Sequence, residues 1–157
     1  MSWSDPHLFE AIVRQMPDAV IFSDRDGIIR AWNPGAELLF GFAASEALGR
    51  SLDMIIPERL RPSHWAGFRR AIVEARTQGG NQVRTTRSLH KDGRTLYVDL
   101  SFAVITDALG AATGALAVGR DGTARYLAEK KLRADLQAAS GDGANPLNLV
   151  RRPAGTP

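Results

Sequence analysis

The chain has 157 residues, of which 44% are hydrophobic and 24% charged, so it can bury one core of ordinary size and we expect a single domain. Its net charge is only +3 and its arginines are spread along the chain, which argues against nucleic-acid binding. The lack of cysteine excludes disulfides, thiolate metal sites, a cysteine nucleophile and a thiol photoadduct with a flavin. No basic leader and no stretch of roughly 18 apolar residues is present, so we expect a cytoplasmic protein without membrane contact.

A helix and a hairpin are predicted at the start of the chain. Residues 1–17 contain an N-terminal flanking helix that Ser4 or Asp5 can cap, with a proline in its first turn and another at its end. Residues 18–24 have the character of a buried strand, and residues 28–32 form its antiparallel partner, because an Arg-Asp-Gly turn joins them.

Three short helical segments follow the hairpin. The first covers residues 36–40 and ends at Gly41, the second is a turn capped by Ser45, and the third covers residues 52–55. Each is too short to be stable alone. They are therefore expected to pack against the sheet.

A long amphipathic helix is predicted to follow Pro57 and to end at the pair Gly79 and Gly80. At about 100° per residue, His64 lies in the middle of its apolar face. Four apolar residues share that face, namely Phe68, Ala71, Ile72 and Ala75. An imidazole that faces a core needs a partner, which is either a hydrogen bond to backbone or water, or a metal ion. His64 is therefore the main candidate for a binding residue.

The second half of the chain predicts three antiparallel strands joined by tight turns, over residues 83–89, 95–105 and 113–120. The middle strand alternates well, and one of its faces is expected to line the interior with Leu96, Val98, Leu100, Phe102 and Val104. The last strand is rich in glycine and alanine. It leaves space for a bulky ligand beneath Gly114 and Ala117.

The C-terminal part predicts a flanking helix and a tail. Residues 123–139 are helical, with charged residues around a stripe formed by Leu127, Leu132 and Leu136, and such a stripe requires a partner. Residues 140–157 change to Gly, Asn, Pro and Arg and are expected to be disordered. The core domain is thus predicted over residues 18–122.

The order of these elements, together with several short sequences, resembles a PAS domain over about residues 8–125. The matching sequences are DAVIFSD, DG, IRAWNP, AELLFGF, EALGR, IIP, KDGR and GRDGTAR. PAS domains are sensory and dimerising modules in which a five-stranded antiparallel sheet, short helices and one long helix enclose a small cavity. The resemblance implies an α+β PAS fold and a role in signal transduction without catalysis.

Within this superfamily, Ile56–Phe102 is most similar to the heme-binding PAS domains of FixL-type oxygen sensors. That resemblance implies heme b as the cofactor, with His64 as the axial iron ligand. It also implies that Arg70 lies near a heme propionate and that Arg84 donates a hydrogen bond to bound oxygen. Leu100 and Phe102 are implied as apolar neighbours over the distal face, and Trp65, which follows His64, is a further candidate for contact with the ligand. The chain departs from this family at Trp65, whose indole is expected to fill some of the space next to the ligand.

Two alternatives remain open beside the gas sensor. The first is a cofactor-free interaction and dimerisation module, in which His64 and Trp65 are core residues. The second is a PAS domain that binds a non-heme small ligand; either of these would serve in the regulation of transcription.

The remaining candidate residues have simpler interpretations. His7 lies near a helix start and His90 beside a turn, so both are expected to be exposed rather than to bind a metal. Four aspartates lie in hairpin turns, where Asp is favoured by its backbone hydrogen bonds, and are predicted to be turn residues: Asp24, Asp26, Asp92 and Asp107.

Signalling partners are expected through the flanking helices, residues 5–16 and 123–139, which are the natural surfaces for a homodimer. No histidine follows His90 and no output segment follows residue 125. We therefore expect a separate output protein, such as a kinase or a regulator.

Overall fold

A five-stranded antiparallel sheet is the frame of the fold. The computed structural model describes residues 5–80 and 82–141, and it divides into two units, residues 1–123 and 124–157, of which the first contains the sheet. The strands are β1 (Ala19–Asp24), β2 (Ile29–Trp32), β3 (Arg84–Leu89), β4 (Thr95–Thr106) and β5 (Ala112–Asp121). Their order across the sheet is β2-β1-β5-β4-β3, which confirms the expected α+β architecture.

One helix precedes the sheet, and a series of short helices links β2 to β3. They are α1 (Pro6–Gln15), α2 (Pro34–Phe40), α3 (Ala44–Ala47), two 3-10 turns (Leu52–Met54 and Glu58–Leu60) and α4 (Arg61–Glu74). Asp5 caps α1, since its carboxylate accepts a hydrogen bond of 2.9 Å from the N–H of His7. The predicted cap at Ser45 is wrong, because Ser45 lies inside α3. The Glu46 carboxylate instead accepts a hydrogen bond of 2.9 Å from the backbone N–H of Ala43.

Helix α4 is shorter than predicted. It begins at Arg61, after a separate 3-10 turn, and it ends at Glu74 rather than at the glycine pair. Ala75 closes the helix with φ 52°, and its N–H bonds back to the carbonyl oxygens of Ala71 and Ile72. A non-glycine residue therefore takes the left-handed conformation that the prediction assigned to glycine. Gly79, with φ 111°, lies in the connection to β3.

The inner face of the sheet is only partly closed. Leu96, Val98 and Leu100 of β4 are buried as predicted, whereas Phe102 is 39% exposed and Val104 is half-buried. Leu100 pairs with the first residue of β3, so the rest of β4 has no neighbouring strand on that side. The prediction that the whole face is interior is therefore wrong for Phe102, because this part of β4 extends beyond β3 and leaves its side chains open to solvent.

Asn33 joins three elements within the core. It is buried, and its side chain makes five hydrogen bonds with backbone groups. Its amide oxygen accepts from the N–H groups of Val20 and Ala36. Its amide nitrogen donates to three carbonyl oxygens, those of Val13, Met16 and Asp18. Asn33 is therefore both the N-cap of α2 and the link from the end of α1 to β1.

Three of the four predicted turn aspartates accept the backbone hydrogen bonds expected of them; the fourth, Asp26, contributes its backbone N–H to the first of these turns. The carboxylate of Asp24 accepts from the N–H groups of Asp26 and Ile28, at 3.1 and 3.0 Å. Asp92 accepts from the N–H of Arg94 at 3.0 Å. Asp107 accepts from Leu109 and Ala111, both at 2.9 Å. These side chains hold the hairpins closed by hydrogen bonds to local backbone.

The second unit contains the rest of helix α5 (Thr123–Gly141), so the helix predicted over residues 123–139 is present. Ion pairs at i,i+4 spacing lie along it, one between Arg125 and Glu129 at 2.8 Å and one between Lys131 and Asp135 at 3.5 Å. Of the predicted tail, residues 142–157 lie outside the described residues. Within residues 5–80 and 82–141, no helix is long and apolar enough to span a bilayer.

Candidate functional site

A cavity of about 630 Å³ lies between α4 and the inner face of the sheet. This volume is within the range of about 300–1,000 Å³ that is usual for small-molecule and cofactor sites. Much of the wall is apolar, with contributions from Ile21, Phe40, Ile55, Phe68 and Leu100. The cavity is wide because β5 contributes small side chains, Ala115 and Ala117, to the wall.

His64 lines this cavity from α4. Its Nδ1 is buried and has no hydrogen-bond partner among the described residues. Burial lowers the pKa of His64 below its usual value of 6.5, and the carboxylate of Asp53 opposes this shift. The neutral imidazole is therefore favoured at pH 7, and this is the form that binds a metal ion. A buried nitrogen without a partner costs free energy, unless a ligand satisfies it.

Five of the six predicted site residues are brought together by the fold. Besides His64, the cavity is lined by Arg70, Arg84, Leu100 and Phe102. Arg70 and Arg84 are exposed at the rim. The guanidinium of Arg84 donates a hydrogen bond of 2.9 Å to the carbonyl oxygen of Gln78.

The sixth, Trp65, lies outside the cavity lining. Its indole N–H donates to the carboxylate of Asp53 at 2.8 Å, and its six-membered ring lies against Gly27 in the β1–β2 turn. The expectation that the indole fills space next to the ligand is therefore wrong. The reason is the packing of its ring on the β1–β2 turn, a contact with a distant segment that holds the indole away from the cavity.

Several cavity residues were missed by the sequence reasoning. Ser23 and Ser88 are buried and line the cavity with Thr86. Thr86 and Ser88 alternate with Arg84 along β3, so the two-residue period would have identified them.

The expectation that a ligand lies beneath Gly114 is wrong, because the two-residue period of β5 directs this residue to the opposite face. Gly114 faces the other side of the sheet, where an added Cβ would lie 2.6 Å from the ring of Phe22.

The other two histidines do not line the cavity. His7 is exposed, as predicted. His90 is not, because only 15% of its side chain is accessible and its ring packs on Gly41. The β3–β4 turn folds over the end of α2, where the N–H of Lys91 bonds to the carbonyl of Phe40 at 2.8 Å. This contact between distant segments buries the ring.

No group of three or more His, Asp or Glu side chains within residues 5–80 and 82–141 could hold a metal ion. His64 therefore suits a metal that brings most of its ligands with it, as the iron of a heme does. The described residues fit such a group, because an imidazole whose neutral form is favoured lines a largely apolar cavity.

Comparisons with known proteins agree with this geometry. The family model described as the PAS fold matches residues 7–122. The chain is 30% identical over 105 residues to the oxygen sensor protein DosP of Escherichia coli K12, covering 66% of this chain and 13% of DosP. It is 38% identical over 99 residues to the sensor protein FixL of Bradyrhizobium diazoefficiens, covering 62% of this chain and 19% of FixL. The chain thus spans less than a fifth of either relative's length.

The fold is also similar to a solved structure of an RNA-binding light-oxygen-voltage receptor. The TM-score is 0.70 at 21% identity, and the match covers 90% of this chain and 41% of the receptor chain. At this identity the likeness concerns the fold alone. Together with the family match, it identifies the chain as a member of the PAS family, a sensory domain.

Proposed function

We propose that this PAS domain is a heme-based oxygen sensor in which His64 is the axial iron ligand. The observation that carries the proposal is the half-buried imidazole of His64, which lines a cavity of about 630 Å³ and whose pKa is lowered by burial, so that its metal-binding neutral form is favoured. Bound heme would supply an iron that binds a diatomic gas. The similarity to DosP, an oxygen sensor, supports oxygen as that gas.

The charges around the cavity suit the carboxylate groups of heme. Arg70, Arg84 and Arg87 line the cavity, and no Asp or Glu does so among the described residues. Arg70 is exposed at the rim, where it can pair with a propionate without being desolvated. The rim therefore attracts an anionic ligand, and the apolar wall accommodates its body.

Arg84 has a second role in this proposal. It shares the inner face with Leu100 and Phe102 and is held by one hydrogen bond to the carbonyl of Gln78. If the guanidinium of Arg84 donated instead to a ligand in the cavity, its positive charge would stabilise negative charge on that ligand. Leu100 and Phe102 would restrict water next to it.

An absorbance titration with hemin tests the proposal. Wild type should develop a saturable Soret band at about 400 nm with one heme per chain, and His64→Ala should not. His7→Ala is the matched control, because His7 is exposed and outside the cavity. A wild-type protein without a saturable band, or an unchanged band in His64→Ala, would contradict the proposal.

A second candidate is the binding of a small apolar carboxylate in the same cavity. The observation that favours it is the combination of an apolar wall with three arginines and, among the described residues, no Asp or Glu in the cavity lining. Native mass spectrometry of the purified protein tests it. A co-purified organic acid that hemin does not displace would favour this candidate over heme.

Signal output is proposed to run through the flanking helices. Leu132 and Leu136 of α5 are exposed, at 60% and 59%, and such a stripe is suited to a homodimer or to an output protein such as a kinase. Light scattering of wild type and Leu132→Glu tests the homodimer. A monomeric wild type would contradict it.

A further inference from the structure

Trp65 and His64 form an aromatic cluster on α4 with Phe68. The indole of Trp65 stands edge-on to the imidazole of His64, with ring centroids 4.9 Å apart and an interplanar angle of 80°. Phe68 contacts both rings, at 5.4 Å from Trp65 and 6.0 Å from His64. Movement of the indole would therefore displace the imidazole that faces the cavity.

Two contacts outside α4 hold the indole. Its N–H donates to the carboxylate of Asp53 at 2.8 Å, and its six-membered ring lies on the backbone of Gly27. Gly27 has φ 77°, and an added Cβ would overlap the ring. Only glycine both adopts this positive φ readily and has no Cβ to overlap the ring. The position of Trp65 is thus set by the β1–β2 turn as well as by its own helix.

Asp53 is itself well fixed. Its backbone N–H donates to the hydroxyl of Ser51 at 3.2 Å. Its carbonyl accepts from the guanidinium of Arg61 at 3.1 Å, and its carboxylate lies 3.7 Å from the Nε of the same side chain. Since Arg61 is the first residue of α4, Asp53 connects the 3-10 turn Leu52–Met54 to both the start of the helix and the indole.

We propose that Trp65 is a positioning residue for His64, which it holds at the cavity wall through its hydrogen bond to Asp53 and its packing on Gly27. This inference rests on the proposed function of His64 as the ligand to the cavity's occupant. The interaction resembles the outer contacts of other metal-binding histidines, which orient the ring and raise affinity. Here the contact is an aromatic edge rather than a hydrogen bond.

The test separates the hydrogen bond from the charge of Asp53. Asp53→Ala removes both while Trp65 itself is unchanged, so the indole is free to move; Asp53→Asn removes the charge but keeps an acceptor for the indole N–H. The readouts are the hemin Kd and, in the ligand-free protein, the NMR shifts of the His64 ring protons and their nuclear Overhauser effects with Trp65. We expect Asp53→Ala to raise the Kd by about 10- to 100-fold and to shift the ring protons. Asp53→Asn should restore both.

Trp65→Phe should raise the hemin Kd as Asp53→Ala does, because it also removes the hydrogen bond. The matched control is Trp32→Phe. The indole of Trp32 is buried and donates to the carbonyl of Phe42 at 3.1 Å, so its loss lowers stability without touching His64. Its hemin Kd should stay at the wild-type value.

Two outcomes overturn the proposal. One is a folded Asp53→Ala protein with wild-type ring shifts and Kd. The other is an equal loss of affinity in Trp32→Phe, which would indicate a general effect of stability. If wild type fails to bind hemin, the proposed function fails, whereas the ring shifts and Overhauser effects in the ligand-free protein still decide the positioning role.

Discussion

Arg84 lies directly opposite Leu100 in the pairing of β3 with β4, so the two residues share the face of the sheet that lines the cavity. The pairing brings a cationic donor beside an apolar neighbour.

We expect Arg84→Ala to retain hemin but to lower oxygen affinity by about tenfold or more, because a hydrogen bond from a charged group is lost. Oxygen titration of the reduced protein measures this. Arg50→Ala, an exposed arginine outside the cavity lining, is the control, and equal affinities in the two variants would contradict the prediction.

Removal of the imidazole should stabilise the ligand-free protein. The Nδ1 of His64 is buried without a partner, and an apolar side chain of similar size relieves that cost. We expect His64→Leu to raise the free energy of unfolding by about 1 kcal/mol while it abolishes hemin binding. Urea denaturation of the ligand-free proteins measures it. A clear loss of stability would mean that the ring has a partner, such as a buried water.

The stability of the ligand-free protein should fall as the pH drops below about 6.5. Burial lowers the pKa of His64 in the folded state below the value of 6.5, so in that window the unfolded chain binds more protons than the folded one. Stability therefore rises with pH up to about 6.5, and His64→Leu should lose this dependence. The pKa of Asp92 is lowered from 3.8 by the hydrogen bond from Arg94, so its effect falls at more acid pH. Urea denaturation of wild type and His64→Leu between pH 5 and 7.5 measures the contribution of His64, because that of Asp92 falls at more acid pH. An unchanged dependence of stability on pH in His64→Leu would contradict the prediction.

Replacement of glycine by alanine should change the free energy of unfolding in opposite directions at Gly67 and Gly35. A Cβ on Gly67, in the middle of α4, would meet no atom within 4 Å. Gly67→Ala should therefore raise the free energy of unfolding by about 0.5–1 kcal/mol through helix propensity. A Cβ on Gly35 would lie 2.6 Å from the backbone carbon of Asp18. Gly35→Ala should cost about 1–3 kcal/mol, because the backbone of Pro17 and Asp18, just before β1, would have to shift. Thermal unfolding of Gly67→Ala and Gly35→Ala beside wild type measures the direction of each change in stability.

Asn33 should be among the most sensitive residues of the core. Its side chain satisfies five backbone groups. Asn33→Ala should lower the free energy of unfolding by at least about 2 kcal/mol, since it removes an N-cap and leaves buried groups unpaired. Asn33→Asp keeps the cap acceptor but cannot donate from that position. Its free energy of unfolding should lie between those of wild type and Asn33→Ala. Equal stabilities of wild type and Asn33→Ala would refute this role.

Local patterns predicted the strands well, because buried or alternating apolar runs are bounded by turn residues such as Asp, Gly, Asn and Pro. Alternation predicted that Leu100 and Phe102 share a face, whereas the place of Arg84 was implied by the resemblance to heme-binding PAS domains; in the structure Arg84 pairs with Leu100. Local patterns placed the end of α4 wrongly. A glycine pair is a strong local stop signal, yet Ala75 takes the left-handed conformation four residues before Gly79.

Errors at the site concern contacts between distant segments. Trp65 was expected beside the ligand, and His90 was expected to be exposed. The first packs on a turn 38 positions earlier in the chain, at Gly27, and the second on the end of α2, at Gly41. No periodicity within α4 or β4 contains that information, because it depends on which elements meet in three dimensions.

The sequence by itself determined the PAS family, the order of the strands along the chain and a histidine on the apolar face of α4, since these follow from hydrophobic period, turn residues and local motifs. Only the tertiary structure decided that the indole of Trp65 turns away from the cavity and that Nδ1 of His64 has no partner among the described residues. The physical reason is that a period fixes the direction of a side chain relative to its own element. Packing between elements then decides what that side chain meets, and whether a cavity remains.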